Sequence, residues 1–115
     1  MPRFVILEHD HPELHWDFML EKGTALETWR LARSPQPGVA IEAIALGDHR
    51  ALYLNYEGPV SSNRGVVKRW DAGDFTEAEE SSPEARRFSL EGERVCGNVV
   101  LTKVAKNHWR FEWST

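Results

Sequence analysis

The sequence predicts an all-β protein, an antiparallel barrel or sandwich of short strands with little or no helix. Three observations predict it. Short β-branched and aromatic runs recur along the chain, separated by Gly-, Pro-, Asn- and Asp-containing turns. Two stretches, Leu14–Glu21 and His108–Trp113, alternate apolar and polar residues with a period of two, the pattern of a strand with one face inward. No stretch of ten or more residues carries a convincing helical period.

In chain order, Phe4-Val5-Ile6-Leu7 reads as a buried first strand. Leu14–Glu21 follows a histidine-rich turn, with Leu14, Trp16, Phe18 and Leu20 toward a core and His15, Asp17, Met19 and Glu21 on the other face. Lys22-Gly23 marks a hairpin turn into a strand at Ala25–Leu31, and Arg33–Gly38 is a loop by its Ser and Pro content. Val39–Leu46 is a further strand, ending at the turn Gly47-Asp48-His49-Arg50. Leu52–Tyr56 reads as a short strand, Ser61–Gly65 as a polar loop, Val66–Trp70 as a strand and Asp71–Asp74 as a turn. Phe75–Ala85, acidic and holding Pro83, is expected to be an exposed loop or one helical turn. Arg87–Leu90 and Arg94–Val104 form strands joined at Glu91-Gly92, and Lys106-Asn107 turns into the last strand, His108–Trp113. Trp16, Phe18, Trp70, Trp109 and Phe111 are expected in the core, and Cys96 as a small core residue.

Composition narrows the function. The 115 residues make one domain, 1–115, able to bury a modest core. No apolar run reaches the ~18 residues of a membrane helix, and no charged-then-apolar leader is present, so a cytoplasmic protein with no membrane partner is expected. The single cysteine excludes an internal disulfide and a multi-cysteine zinc site. A net charge of −4 argues against a strongly basic, non-specific nucleic-acid binder, although local arginine patches stay open.

Chemistry concentrates at Glu8–Glu21, which holds three of the five histidines. His15 and Asp17 share a strand face at roughly 6.5–7 Å between Cα atoms, and His9 can fold back across the Pro12 turn. Two imidazole nitrogens and a carboxylate oxygen make a site for Mn²⁺, Zn²⁺ or Fe²⁺; the alternative is a solvated polar face. His49, beside Asp48, suits acid–base work or a hydrogen bond to a phosphoryl oxygen, or is an exposed turn residue. Tyr53 is either a partner of His49 or a half-buried barrel aromatic. His11 reads as solvated, and His108 receives no role. Arg33 and Arg64 lie in loops where a guanidinium can clamp phosphate, or do no more than face water.

Taken together, Glu8-His9, His15, Asp17-Phe18 and Leu20-Glu21 resemble the signature of the 3′-phosphoesterase domain of bacterial ligase D. Thr28-Trp29 with Arg33-Ser34-Pro35, Asp48-His49 with Tyr53 and Tyr56-Glu57-Gly58, Trp70-Asp71-Ala72-Gly73, and Gly92-Glu93 resemble its later blocks, in the same order. The resemblance implies a compact β-barrel and a manganese-dependent site, with other divalent transition metals as alternatives. It also implies an activity that removes a 3′-terminal ribonucleoside and then the 3′-phosphate from DNA ends. His9, His15 and Asp17 would hold the metal, His49 would contact the scissile phosphate, and Tyr53 would add a phosphate or metal-water contact. Nucleic-acid 3′ ends would be the partner, with a separate ligase or end-joining protein as a second.

Two departures stand out. The family carries an arginine two residues after the metal-binding aspartate, where this chain has Met19, and a second upstream of the second histidine block, where it has Gly38-Val39-Ala40-Ile41. Each lost guanidinium removes charge-assisted bonds worth roughly 1.5–3 kcal/mol. Arg64 is expected to replace them, with Arg50 and then Arg33 as further candidates. A non-catalytic barrel that binds a phosphate end or a protein is the competing function. A cupin-like small-molecule metalloenzyme is a third, weakened because His15 stands where that pattern has a glutamate.

Overall fold

In the computed structural model, which describes residues 1–115, ten strands and one short 3₁₀ helix are present. The strands are β1 (Arg3–His9), β2 (His15–Lys22), β3 (Ala25–Leu31), β4 (Ala40–Ala45), β5 (His49–Arg50), β6 (Gly58–Pro59), β7 (Val66–Glu77), β8 (Ala85–Gly92), β9 (Cys96–Lys103) and β10 (His108–Ser114). Eight of them, in the order β1-β2-β3-β4-β10-β9-β8-β7, form an antiparallel sheet that closes where β7 pairs back onto β1. The two-residue strands β5 and β6 hang on β3 and β7. Closure leaves the barrel wall without a free edge.

Strand alternation fills the lumen. Phe4 and Ile6 of β1, Phe18 and Leu20 of β2 and Phe111 of β10 are fully or almost fully buried there, and Phe18 meets Phe111 edge-on at 5.4 Å between ring centres. The residues between them on β1 and β2 point out of the barrel, yet they too are buried. Val5, Leu7 and Met19 join Leu26, Leu54 and Val67 in a second apolar cluster on the outer wall. A strand apolar on both faces needs cover on both. Here the cover is the 3₁₀ segment Ala51–Leu54 together with Tyr53, Tyr56 and Val60, all packed on that cluster.

Several expectations change. Leu52–Tyr56 is not a strand, because Leu54 plugs the outer cluster and the chain coils to deliver it. Leu14 lies before β2 and is 54% exposed. The turn expected at Asp71–Asp74 is the middle of β7, and Phe75–Glu77, expected as loop, extends that strand. The irregularity lies just before it, where a register shift opposite Ile6 and Leu7 leaves Trp70 as the extra residue, and the strand runs on through the polar stretch. Asp71, buried at the barrel end, accepts the backbone N–H groups of Ala72, Glu93, Arg94 and Val95 at 2.8–3.2 Å. Trp16 and Trp70 are half-buried, the latter under the Arg94 guanidinium at 4.7 Å, whereas Phe18, Trp109 and Phe111 are buried as expected. Cys96 is exposed at the start of β9. At one barrel mouth Arg86 forms a two-pronged bond with Glu27, bonds Glu77, and lies over the Trp29 and Phe88 rings.

Candidate metal centre

The β1–β2 register sets His9 opposite His15 and Leu7 opposite Asp17. All four rise from the outer wall, so the last residue of β1 and the first and third of β2 meet beside the second apolar cluster. His15 and Asp17 are 5% and 4% exposed, and His9 is half-buried. His9 Nδ1 lies 3.7 Å from Asp17 Oδ2, and His15 Nε2 lies 3.3 Å from Asp17 Oδ1. One donor atom from each residue falls within 4.8 Å of the others.

The far side of each imidazole is already committed. His9 Nε2 is 2.7 Å from the Arg64 carbonyl, and His15 Nδ1 is 2.8 Å from the Glu13 carbonyl. A carbonyl only accepts, so each ring places its N–H there and, when neutral, turns its lone pair toward Asp17. His15 Nε2 and Asp17 Oδ1 are buried and have no hydrogen-bond partner. Three electron-rich atoms facing one point, two of them orphaned, lack an electrophile. A proton supplies one solution. Burial, the largest influence, pulls the His15 pKa down. Once Nε2 carries a proton, the Asp17 carboxylate 3.3 Å away accepts it and adds its charge, and with the Glu13 carbonyl these outweigh burial and hold the group above its ordinary value, while the Arg30 charge opposes them. A divalent cation supplies the other, and two imidazole nitrogens plus a carboxylate oxygen suit Mn²⁺, Fe²⁺ or Zn²⁺.

The loop before β7 is built to serve this arrangement. Asp10 Oδ1 accepts the Val66 N–H at 2.8 Å and the Asp10 N–H reaches back to the Val66 carbonyl, tying the loop to the histidine turn. That brings the Arg64 carbonyl to His9. The Arg64 guanidinium does something else: it donates to the Ser61 carbonyl and hydroxyl at 2.9 and 3.2 Å.

His49 pairs with Leu26 across β5 and β3, on the outer wall. Its Nδ1–H donates to the Gly47 carbonyl at 2.9 Å, freeing Nε2. The ring packs edge-on against Tyr53 at 6.1 Å, and Tyr53 against Tyr56 at 5.8 Å. Neither His49 nor Tyr53 makes a hydrogen bond or ring contact with the trio. Arg50, next in β5, alternates to the opposite face from His49. Arg33 is exposed just beyond β3, at the same end as His15. His108 is exposed and pairs with Glu42 at 3.8 Å.

One residue escaped the sequence reading. Arg30 sits directly across from Asp17 in the β2–β3 pair. The hairpin register carried the signal: Lys22 opposite Ala25 fixes Asp17 opposite Arg30 by counting back along both strands.

With the geometry in hand, comparison with known proteins decides the family. Residues 7–103 match the model of the DNA Ligase D 3′-phosphoesterase domain. The chain belongs to this family. Relatives include the multifunctional non-homologous end joining protein LigD of Pseudomonas aeruginosa, 28% identical over 96% of this chain and 14% of that protein. The LigD protein of Mycobacterium bovis is 29% identical over 92% of this chain and 15% of that protein. The chain thus spans about one-seventh of the length of these relatives. In this ligase D phosphoesterase-type barrel, no helix is long and apolar enough to cross a membrane.

Proposed function

We propose that this protein is a metal-dependent phosphoesterase that heals nucleic-acid 3′ ends, removing a terminal ribonucleoside and then the 3′-phosphate. One observation carries the reading: the lone pairs of His9 Nδ1 and His15 Nε2 and a carboxylate oxygen of Asp17 converge, with both rings locked by backbone carbonyls. These three residues would hold the cation, Mn²⁺ by family resemblance. When bound, a divalent ion supplies Lewis-acid polarisation of a phosphoryl oxygen and lowers the pKa of water.

The chain's own groups do the rest. Asp17 and the two imidazoles would fix where the cation, and with it the reacting phosphate, stands on the barrel wall. His49, with Nδ1–H held by the Gly47 carbonyl, presents Nε2 outward. Protonated, it donates to a phosphoryl oxygen; neutral, it takes up a proton. Tyr53, against the His49 ring, restricts its orientation and offers a hydroxyl to the same phosphate. Flanked on the outer wall by the second apolar cluster, the site has a low-dielectric side that strengthens these charge interactions.

A second reading follows from Met19. Its side chain is buried in the outer cluster at 2% exposure, so no cationic clamp can operate from that position. A barrel lacking the clamp would bind metal and a phosphate end without turning it over. Incubating the protein and Mn²⁺ with a 3′-phosphorylated primer-template separates the readings. Release of inorganic phosphate and gain of an extendable 3′-hydroxyl supports the first; metal-dependent retention of the intact end supports the second.

A further inference from the structure

Arg30 is an unfinished cation. It is half-buried, its Nε is buried without a hydrogen-bond partner, and it takes part in no ion pair. The contrast is Arg86, equally tied to the barrel but saturated by Glu27 and Glu77. A buried guanidinium N–H left unpaired costs free energy, so this one is open to a partner from outside the chain, whether water or a ligand.

The neighbours limit what that is. On β4 the cross-strand partner of Arg30 is Ile44, which offers no acceptor. On β2 the partner is Asp17, whose oxygens face His9 and His15 instead. Along β3, the Thr28 hydroxyl is already donated to the Leu26 carbonyl. The Arg30 charge is felt at His15, so the guanidinium stands within electrostatic reach of the trio. Directly opposed residues in an antiparallel pair have Cβ atoms about 4.5–5.5 Å apart, so a guanidinium on its longer stem is long enough to meet a group bound at Asp17. A group that bridges a cation on the trio and a planar fork of N–H donors must be an anion with several oxygens, which describes a phosphate monoester.

We propose that Arg30 is the phosphate-clamping residue of this chain, gripping the non-bridging oxygens of the phosphoryl group presented to His9, His15 and Asp17. The inference rests on the metal reading above and adds the residue that binds the anion. It places the guanidinium on a different strand position from the clamp lost at Met19, and it displaces Arg64, whose guanidinium is held by Ser61.

Two titrations test it. Calorimetry with Mn²⁺ alone measures the metal site; titration of inorganic phosphate into the Mn²⁺-loaded protein measures the clamp. Arg30→Gln should bind Mn²⁺ as wild type does and lose phosphate affinity by roughly ten- to a hundredfold. Arg30→Lys should recover part of the loss, since a point charge replaces a fork. Arg64→Ala should change phosphate affinity by less than about threefold, the scale of a solvated charge. Near-identical circular dichroism of the three variants keeps folding out of the comparison. Wild-type phosphate affinity in Mn²⁺-loaded Arg30→Gln, or a larger loss in Arg64→Ala, overturns the assignment while leaving the metal site standing. Failure of the wild-type protein to take up Mn²⁺ overturns both.

Discussion

Gly65 and Asp10 contend for the same space: a Cβ on Gly65 would stand 2.2 Å from Asp10 Oδ1 and 2.6 Å from the His11 Cβ. Gly65 also holds a φ of +81°, which side-chain-bearing residues rarely adopt. This close approach lets Asp10 grip Val66 and brings the Arg64 carbonyl to His9.

Gly65→Ala should therefore act at a distance. The loop must lift from the histidine turn, His9 loses the carbonyl that fixes its tautomer, and Mn²⁺ affinity should fall by about 10–100-fold, the usual cost of losing such a partner. Isothermal titration with Mn²⁺ on a variant with wild-type circular dichroism checks it; unchanged affinity would refute the role given to the Arg64 carbonyl.

Asp17→Ala should abolish tight Mn²⁺ binding while leaving the barrel intact, because Asp17 lies on the outer wall and not in the lumen. Metal stoichiometry measured after dialysis decides the matter: one equivalent retained would remove Asp17 from the ligand set.

Asp71→Ala should be among the more damaging single changes. Four backbone N–H groups would lose their acceptor at the barrel end. Unpaired buried donors cost about 1–3 kcal/mol each and some would find water, so a loss of about 3 kcal/mol or more is expected, measured by urea denaturation. Asp71→Asn, which keeps an acceptor oxygen, should lose less. Equal losses in the two variants would show that the acceptor bonds are not what holds the loop.

Acid should weaken the barrel mouth through Glu77. The Arg86 hydrogen bond, chiefly, holds its carboxyl below the ordinary value of 4.5; burial opposes this, while the Ser81 hydroxyl and the charges of Arg86 and Lys22 add to it. Because the folded pKa is the lower one, the contribution is fully present above 4.5 and is lost as pH falls through the folded value. Melting curves from about pH 7 down to pH 3 should show the wild type losing its advantage over Glu77→Gln below that point. Parallel curves for the two proteins would exclude the linkage.

The alternating stretch from Leu14 to Glu21 announced its own strand, and the hairpin at Lys22–Ala25 followed from its turn residues. The convergence of His9, His15 and Asp17 was legible for the same reason: His15 and Asp17 share a face wherever a strand is drawn through them. The outer apolar cluster was harder to read, because Val5, Leu7 and Met19 are covered by Leu54, far along the chain and on a coil. Periodicity reports which face a residue takes and nothing about what later lands on that face. Asp71-Ala72-Gly73-Asp74 looked like a turn because its polarity is spent within a strand, on Asp71 and on a glycine whose added Cβ would meet the Glu91 carbonyl at 2.0 Å. Arg30 was missed because its meaning lies in register, not in local sequence.

The trio stands on the outside of the closed wall, while the lumen is packed solid with aromatic and aliphatic side chains. The route to it therefore does not run through the lumen. On the proposed function, a long polymer would lie across the outer wall with its terminus at the trio and the remainder trailing into solvent, and discrimination between an end and an interior position would come from the terminal group and the side chains that grip it.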